Sequence, residues 1–155
     1  MNPKELELSK LRSHIGYKLR VVSNAVSHSF ARKLLSSGVT VAEWVILREM
    51  YSAAEKTSPS TLAEFTGLTR GAVSKLIDRL IKKELVISKA SGNDRRYLEI
   101  SITQKAAELI PALSSIADEN DENFFSVLTE FERSNLTSIL MKLAKVHKLN
   151  ITPIR

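Results

Sequence analysis

The run from Leu68 to Leu85 constrains the fold of this chain more than any other stretch of the sequence. Its apolar residues recur at steps of three and four, so they share one side of a helix. Thr69 precedes this helix as an N-cap, because its hydroxyl can accept a backbone N–H of the first turn. The opposite side carries polar and cationic side chains, namely Arg70, Ser74, Lys75, Arg79 and Lys82. Such a face fits a polyanionic partner, although a basic helix face is more often simply solvated.

A short helix and a tight turn come directly before this basic helix. Ser58 followed by Pro59 is typical of a helix start, and Gly67 is typical of a left-handed helix end. Only Leu68 and Thr69 separate that end from the basic helix. Two helices joined by a glycine-containing turn, the second rich in outward cations, form the helix-turn-helix pattern.

After Leu85 the spacing of apolar residues changes from about 3.6 to about 2, which predicts strands. Residues 86–89 are predicted as one strand, residues 91–94 as a turn and residues 97–102 as the returning strand. The tip of this hairpin carries three charged residues, Asp94, Arg95 and Arg96. A basic helix beside a basic hairpin tip provides two contact points for one duplex.

Amphipathic helices are predicted before this central region. Apolar residues repeat at helical spacing over residues 6–35, and the Ser-Ser-Gly at residues 36–38 ends that helix. Thr40 and Glu43 can satisfy each other's backbone amides as a capping box, which opens a second helix. Trp44 follows this box and is interpreted first of all as a core residue.

Two more helices are predicted after the hairpin. Thr103 caps a helix that reaches about Phe125, and Pro111 inside it should kink the helix or shift its start. Thr129 and Glu132 form a second capping box, which opens the last helix. The first helix and these two carry more apolar surface than a monomer needs, so a second subunit should cover part of it.

Composition and charge limit the classes of function. The chain has no cysteine, its three histidines lack paired-ligand spacing, and no glycine-rich phosphate loop occurs among its five glycines. We therefore predict no enzyme, no metal and no cofactor. No apolar run reaches the length of a signal-peptide core or a membrane span, which predicts a soluble, cytoplasmic protein without membrane partners.

The distribution of charge separates one region of the chain from another. The formal net charge is +6, which favours polyanionic partners. Residues 70–96 contain eight bases against three acids, whereas residues 118–132 contain six acids and no base. One part of the molecule therefore attracts anions and another repels them.

The order of elements resembles the MarR family of winged helix-turn-helix transcription regulators over essentially the whole chain. The segments LTRGAVSKLIDRLIKKELV and NDRRYLEISIT are similar to the family's recognition helix and wing signature, and TVAEWVILREM is similar to its second helix. The places of the wing signature are held by Asp94, Arg96, Ile102 and Thr103. Glu84 stands where the family usually has glycine, which argues against a left-handed end to the recognition helix, and Ser88 stands where a basic residue is common.

The resemblance implies a mainly α fold with a small β-hairpin wing in a single domain, residues 1–155. Residues 1–37 and 104–155 would be dimerisation helices, and residues 38–103 the winged helix-turn-helix that binds DNA. The implied function is a transcriptional regulator, most simply a repressor, that acts as a homodimer on a pseudo-palindromic operator. Its two recognition helices would enter successive major grooves about 34 to 36 Å apart.

The predicted DNA contacts fall into three groups. Arg70, Ser74, Lys75 and Arg79 would meet bases and phosphates from the recognition helix. Ser60, Thr61 and Thr69 would bind phosphate oxygens near helix starts, unless they are simple caps. At the wing, Arg96 would read the minor groove, Asp94 would orient it and Arg95 would meet phosphate, the alternative being a solvated turn.

The resemblance also implies an effector site, because aromatic acids or phenols commonly bind between the dimerisation helices and the winged domain of the family. His14, Tyr17, Trp44 and Arg48 could line such a space, although core packing of Trp44 and surface placement of His14 are the simpler interpretations. The alternative function is a winged-helix protein-interaction module without specific DNA readout. A steep loss of affinity with salt would distinguish a DNA regulator from that module.

Overall fold

The computed structural model describes residues 10–53, 57–91 and 94–149, and it places the side chains of these residues except 90, 91 and 94–98. In this part of the chain there are six α-helices and one two-stranded antiparallel sheet. The elements are α1 (Ile15–Leu34), α2 (Val41–Ser52), α3 (Pro59–Thr66), α4 (Arg70–Lys82), β1 (Val86–Ser91), β2 (Asp94–Ile102), α5 (Gln104–Phe125) and α6 (Glu130–Val146). This order confirms the predicted mainly helical fold with a β-hairpin.

Helix α1 begins later than the sequence indicated. A short 3₁₀ turn at Leu11–Ser13 precedes it, and His14 then has extended backbone angles of φ −72° and ψ 132°. The Ser13 hydroxyl donates to the Lys10 carbonyl at 2.6 Å, a local bond that competes with continuation of the helix. Residues 6–9 of the predicted helix lie outside the described residues. At the other end, Gly38 adopts the left-handed conformation at φ 72°, which confirms the predicted stop.

Helix α2 begins at the predicted capping box. The Thr40 hydroxyl accepts from the Glu43 backbone at 3.1 Å, and Glu43 Oε1 accepts from the Thr40 backbone at 3.4 Å. Trp44 is buried and its ring meets Phe30 of α1 edge to face, with the centroids 6.1 Å apart. Trp44 is therefore a core residue, as the simpler interpretation held.

Local side-chain caps also position α3 and α4. Ser58 Oγ accepts from the Thr61 backbone at 3.2 Å, and Gly67 ends α3 at φ 73°. The Thr69 hydroxyl accepts from the Ala72 backbone at 3.1 Å and starts α4. The predicted turn between two helices is confirmed, and α4 is shorter at both ends than the run from which it was predicted.

The end of α4 corrects the expectation for Glu84. Glu84 has φ 60°, which places it in the left-handed conformation that the sequence argued against. Its backbone N–H donates to Ile81 and that of Leu85 donates to Leu80, at 3.0 and 2.9 Å. These two bonds form a Schellman motif, so the helix ends as it would with glycine. The Thr103 hydroxyl, which donates to the Glu84 carbonyl at 2.7 Å, helps to hold this strained residue.

The sheet is longer than predicted, because β1 extends to Ser91 and β2 begins at Asp94. Val86 pairs with Ile102 at its base, and the register shifts between Ala90 and Ser91. Thr57, predicted to lie in a polar linker, instead exchanges two backbone hydrogen bonds with Ile100, so the segment before α3 extends the sheet by one bridge.

The core lies where α1, α2, α3, α4, the hairpin and α5 meet. Its largest fully buried apolar side chains are Leu34, Ile46, Leu47, Leu62, Val73, Leu80, Val86, Ile100, Ile110 and Leu113. Because these residues come from almost every element before α6, the basic helix α4 is held on a rigid support. Over the described ranges, no helix is both long enough and apolar enough to cross a membrane.

Helices α5 and α6 keep their predicted starts. Thr103 caps α5, which continues to Phe125 with Pro111 inside it, so Pro111 does not shift the start of the helix, and the alternative, a kink at Pro111, stays a prediction. Thr129 and Glu132 form the second predicted capping box at the start of α6. The apolar stripe of α6 is exposed rather than packed in the core, with Phe131, Ile139, Leu140, Leu143 and Val146 all open to solvent.

Candidate nucleic-acid interface

Helix α4 has one face in the core and one face open to solvent. The inner face consists of the buried residues Val73, Leu76, Ile77 and Leu80. The outer face carries four predicted contact residues, all exposed: Arg70, Ser74, Lys75 and Arg79. In the part of the chain that the structure describes, no ion pair engages these three cations. Their charges are thus available to a polyanion, and the packing of the buried face opposes rotation of the helix about its axis.

One cation of this region is used inside the protein. Lys83, directly after α4, donates to Gly38 O at 2.7 Å and to Glu43 Oε1 and Oε2 at 2.9 and 2.7 Å. Glu43 is only 1% exposed. Lys83 is one of the eight bases of residues 70–96. Because it pairs with a buried carboxylate, it adds less to the positive charge that this region offers to anions. Sequence spacing gave no signal for this pair, because 40 residues separate its members.

The hydroxyl residues predicted to bind phosphate lie at the starts of α3 and α4. Ser60 is exposed, whereas Thr61 is half-buried and its hydroxyl lies 2.9 Å from that of Ser58. Thr69 is exposed and its hydroxyl accepts the α4 cap bond. Because an acceptor hydroxyl retains its own O–H for donation, capping and phosphate binding are compatible at Thr69.

The wing begins beside α4, because β1 follows that helix after the Leu85 turn. Asp94, Arg95 and Arg96 form the first part of β2, and the backbone of Asp94 pairs with Ser91. Residues 91 and 94, predicted to be in a turn, are therefore strand residues. The side chains of Asp94, Arg95 and Arg96 lie outside the described side chains, so their roles stay a prediction.

The four residues predicted to contact an effector occupy different environments. His14 lies at the N-cap of α1 and is exposed, and Tyr17 is half-buried in the first turns of the same helix. Trp44 is buried in α2, whereas Arg48 is exposed and donates to Ser52 at 2.7 Å. The effector assignment stays a prediction.

An apolar groove lies on another side of the molecule, between the N-terminal half of α1, the end of α5 and the start of α6. Its volume is about 380 Å³. It is lined almost entirely by apolar side chains: Ile15, Lys18, Leu19, Val22, Phe124, Phe125, Val127, Leu128 and Leu136. The groove includes exposed apolar residues of α1, namely Ile15, Leu19 and Val22.

Comparison with known proteins finds one family whose model matches the region that holds this geometry. Residues 37–96, which hold the helix-turn-helix and most of the hairpin, match the model of the MarR family. A putative transcriptional regulatory protein for the hcr operon of Thauera aromatica is 25% identical over 140 residues, which cover 90% of this chain and 84% of that protein.

Solved structures match the fold over most of the chain. The organohalide-sensing regulator RdhR in its 2,4-dichlorophenol-bound form superposes with a TM-score of 0.83 at 22% identity, over 97% of this chain and 89% of that one. A mutant MarR from E. coli complexed with operator DNA superposes with a TM-score of 0.79 at 21% identity, over 87% of this chain and 99% of that one. The matching family model, the wing beside an outward-facing basic helix and the shared fold together make the chain similar to the MarR family of winged helix-turn-helix regulators.

Proposed function

We propose that the chain is a repressor that binds a specific pseudo-palindromic DNA duplex as a homodimer and is released by a small aromatic or phenolic ligand. The observation that carries the proposal is the outer face of α4, where Arg70, Lys75 and Arg79 are exposed without ion pairs in the described part of the chain. Guanidinium groups on a helix of this kind can grip guanine O6 and N7 in the major groove.

Each contact group has a proposed role. Arg70 and Arg79 contact bases, Lys75 and Ser74 contact phosphate or base edges, and Ser60, Thr61 and Thr69 bind phosphate oxygens near two helix starts. The wing residues Asp94, Arg95 and Arg96 reach the adjacent minor groove and backbone. The α3 and α4 starts lie within one helix-turn-helix, which supports simultaneous contact with one stretch of duplex.

The exposed apolar face supports the homodimer. Leu19 and Val22 on α1 and Ile139, Leu143 and Val146 on α6 are all exposed in the single chain. An apolar face of this extent on two helices is typical of a surface that another subunit covers. The occupant we propose is the same face of a second copy, because an isologous contact sets two α4 helices around a two-fold axis, as a pseudo-palindrome requires.

Two considerations support an aromatic effector. The similar regulator RdhR has been solved with 2,4-dichlorophenol bound. In this chain, the proposed contact residues are His14, Tyr17, Trp44 and Arg48. Trp44 is the only tryptophan of the chain, so its fluorescence reports directly on that region. Titration with salicylate and 2,4-dichlorophenol should quench or shift this fluorescence and weaken DNA binding together. If both signals stay unchanged, the proposed effector site is wrong.

The central experiment is selection of bound duplexes from a random pool, followed by titration of the best duplex over a range of salt concentrations. We expect an enriched inverted repeat and a steep salt dependence, because log K falls by about 0.9 per phosphate contact for each unit of log salt concentration. An interaction module would enrich no sequence, and a shallow salt slope would contradict the phosphate contacts. A repressor additionally predicts that the selected duplex blocks transcription when placed over a promoter.

A further inference from the structure

The C-terminal end of α4 is fixed by contacts from both sides. On one side Thr103 donates to the Glu84 carbonyl at 2.7 Å and the Lys105 ammonium donates to the Lys83 carbonyl at 3.2 Å. On the other side the Lys83 side chain crosses to the junction of α1 and α2, where it meets the Gly38 carbonyl and the Glu43 carboxylate. The start of α4, in contrast, depends on the local Thr69 cap.

The Glu43 carboxylate joins two structural features. Its Oε1 accepts both the Thr40 backbone N–H, which closes the capping box of α2, and the Lys83 ammonium. Its Oε2 accepts from Lys83 as well, at 2.7 Å. A buried carboxylate is tolerated only when its oxygens are compensated in this way. The Glu43 carboxylate therefore connects the start of α2 to the end of α4.

Lys83 has no capacity left for DNA in this arrangement. An ammonium has three N–H donors, and three oxygens, Gly38 O and both Glu43 carboxylate oxygens, lie within 2.9 Å of its Nζ. Although the side chain is 38% exposed, a phosphate contact would require one of these bonds to break. Lys83 thus differs from the outer-face cations Arg70, Lys75 and Arg79.

We propose that Glu43 and Lys83 are positioning residues for DNA readout, setting the orientation of α4 relative to α2 so that the arginines of both subunits meet the correct base edges. This inference rests on the proposed function as a specific DNA-binding protein. Base readout requires groups held within about half an ångström of their productive positions, whereas non-specific phosphate binding does not. The pair should therefore affect affinity for the specific duplex much more than affinity for random duplex.

The test compares two variants that are chemically matched. Glu43→Gln keeps the capping box, because glutamine serves equally at this position, but removes the charge that Lys83 needs. Glu132→Gln makes the same change in the second Thr-x-x-Glu box, which has no lysine among its described contacts. Each variant is titrated with the best duplex selected by the wild-type protein and with a shuffled duplex of equal length, well below the melting temperature of each protein.

We expect Glu43→Gln to weaken binding of the selected duplex about tenfold and to leave the shuffled duplex unaffected, with Glu132→Gln matching the wild type on both. The direction of the change in affinity distinguishes positioning from a simple charge effect. Loss of a negative charge alone would strengthen binding to both duplexes. Glu43→Gln binding the selected duplex as tightly as the wild type would overturn the inference, whereas a wild type that prefers no duplex would overturn the proposed function and the inference with it.

A double-variant cycle separates positioning from direct contact. Lys83→Met keeps the aliphatic stem, and the double variant leaves no buried charge unpaired, so it stays testable if a single variant unfolds. We expect the double variant to lose no more affinity than either single variant, with the salt slope unchanged. Additive losses, or a salt slope reduced by about one for Lys83→Met, would show that Lys83 contacts phosphate itself and would overturn the inference.

Discussion

Arg70 lies in the first turn of α4 and its side chain is exposed, so its proposed role can be tested without disturbing the core. We expect Arg70→Ala to weaken binding of the selected duplex about ten- to hundredfold, because a bidentate contact to guanine contributes about 1 to 3 kcal/mol. The melting temperature should change little. Lys142→Ala removes another exposed cation, from α6, and should leave affinity unchanged. Equal effects of the two substitutions would show that only net charge matters.

The two wing arginines should respond differently to alanine substitution. Arg96→Ala should weaken DNA binding and reduce the preference for A·T-rich sequence beside the half-sites, since arginine favours a narrow minor groove. Arg95→Ala should weaken binding of all duplexes alike. It should also reduce the slope of log K against log salt concentration by about one for each lost phosphate contact. Binding assays on duplexes with altered flanks measure both effects, and unchanged affinity of Arg96→Ala would contradict the wing assignment.

At the level of elements, the strained end of α4 makes a stability prediction. Glu84 has φ 60°, a conformation that costs a residue with a side chain about 1 kcal/mol or more and costs glycine little. We expect Glu84→Gly to raise the melting temperature by about 2 to 4 °C at equal protein concentration. Glu84→Ala keeps the strain and should not raise it, so an equal rise in both variants would point to the lost charge instead.

The capping box of α6 makes a prediction about pH. The backbone N–H of Thr129, with its hydroxyl, holds the pKa of Glu132 below the ordinary value of 4.5. A carboxyl whose pKa is lower in the folded chain stabilises the fold above the unfolded value, and this stabilisation is lost as pH falls through the folded value. Thermal unfolding of wild type and Glu132→Gln should therefore converge below pH 4.5. A constant difference down to pH 2 would contradict the assignment.

Caps and turns were predictable from the sequence because they depend on residues within one helical turn. The side chains of Thr40, Glu43 and Thr69 bond backbone N–H groups three positions away, and Gly67 ends α3 in the left-handed conformation. The structure confirms these predictions. Glu84 was misjudged because local propensity favours glycine, whereas the Schellman bonds and the distant Thr103 hydroxyl hold the strained conformation. Tertiary contacts overrode propensity there.

The candidate site divides in the same way. The outer face of α4 follows from helical spacing, so the sequence alone predicts Arg70, Lys75 and Arg79 as contact residues. The bond between Lys83 and Glu43 could not, because its members are far apart in sequence and each has an ordinary local reason to be present. A lysine within a basic run is typical of a DNA contact, whereas the structure shows that Lys83 donates to the Gly38 carbonyl and the Glu43 carboxylate.

At the scale of the whole molecule, dimerisation should control DNA binding. Ile139 and Leu143 lie one turn apart on the exposed stripe of α6. Replacing both with glutamate places charges in the proposed apolar interface, so we expect a monomer in light scattering and a loss of affinity for the two-half-site duplex. Lys145→Glu changes an exposed residue on the opposite side of α6 from Leu143, so it is the control and should remain dimeric. A double variant that stays dimeric would show that α6 lies outside the interface.

One buried amide determines which motions this scaffold can make. Asn120 of α5 is 4% exposed, accepts from the Ser29 hydroxyl at 2.8 Å and donates to the Val26 carbonyl at 3.3 Å, both on α1. If α1 slid along α5 by one turn, these polar atoms would be left unpaired in an apolar surrounding. The two hydrogen bonds thus fix the axial register of α1 against α5 and oppose sliding of one helix along the other.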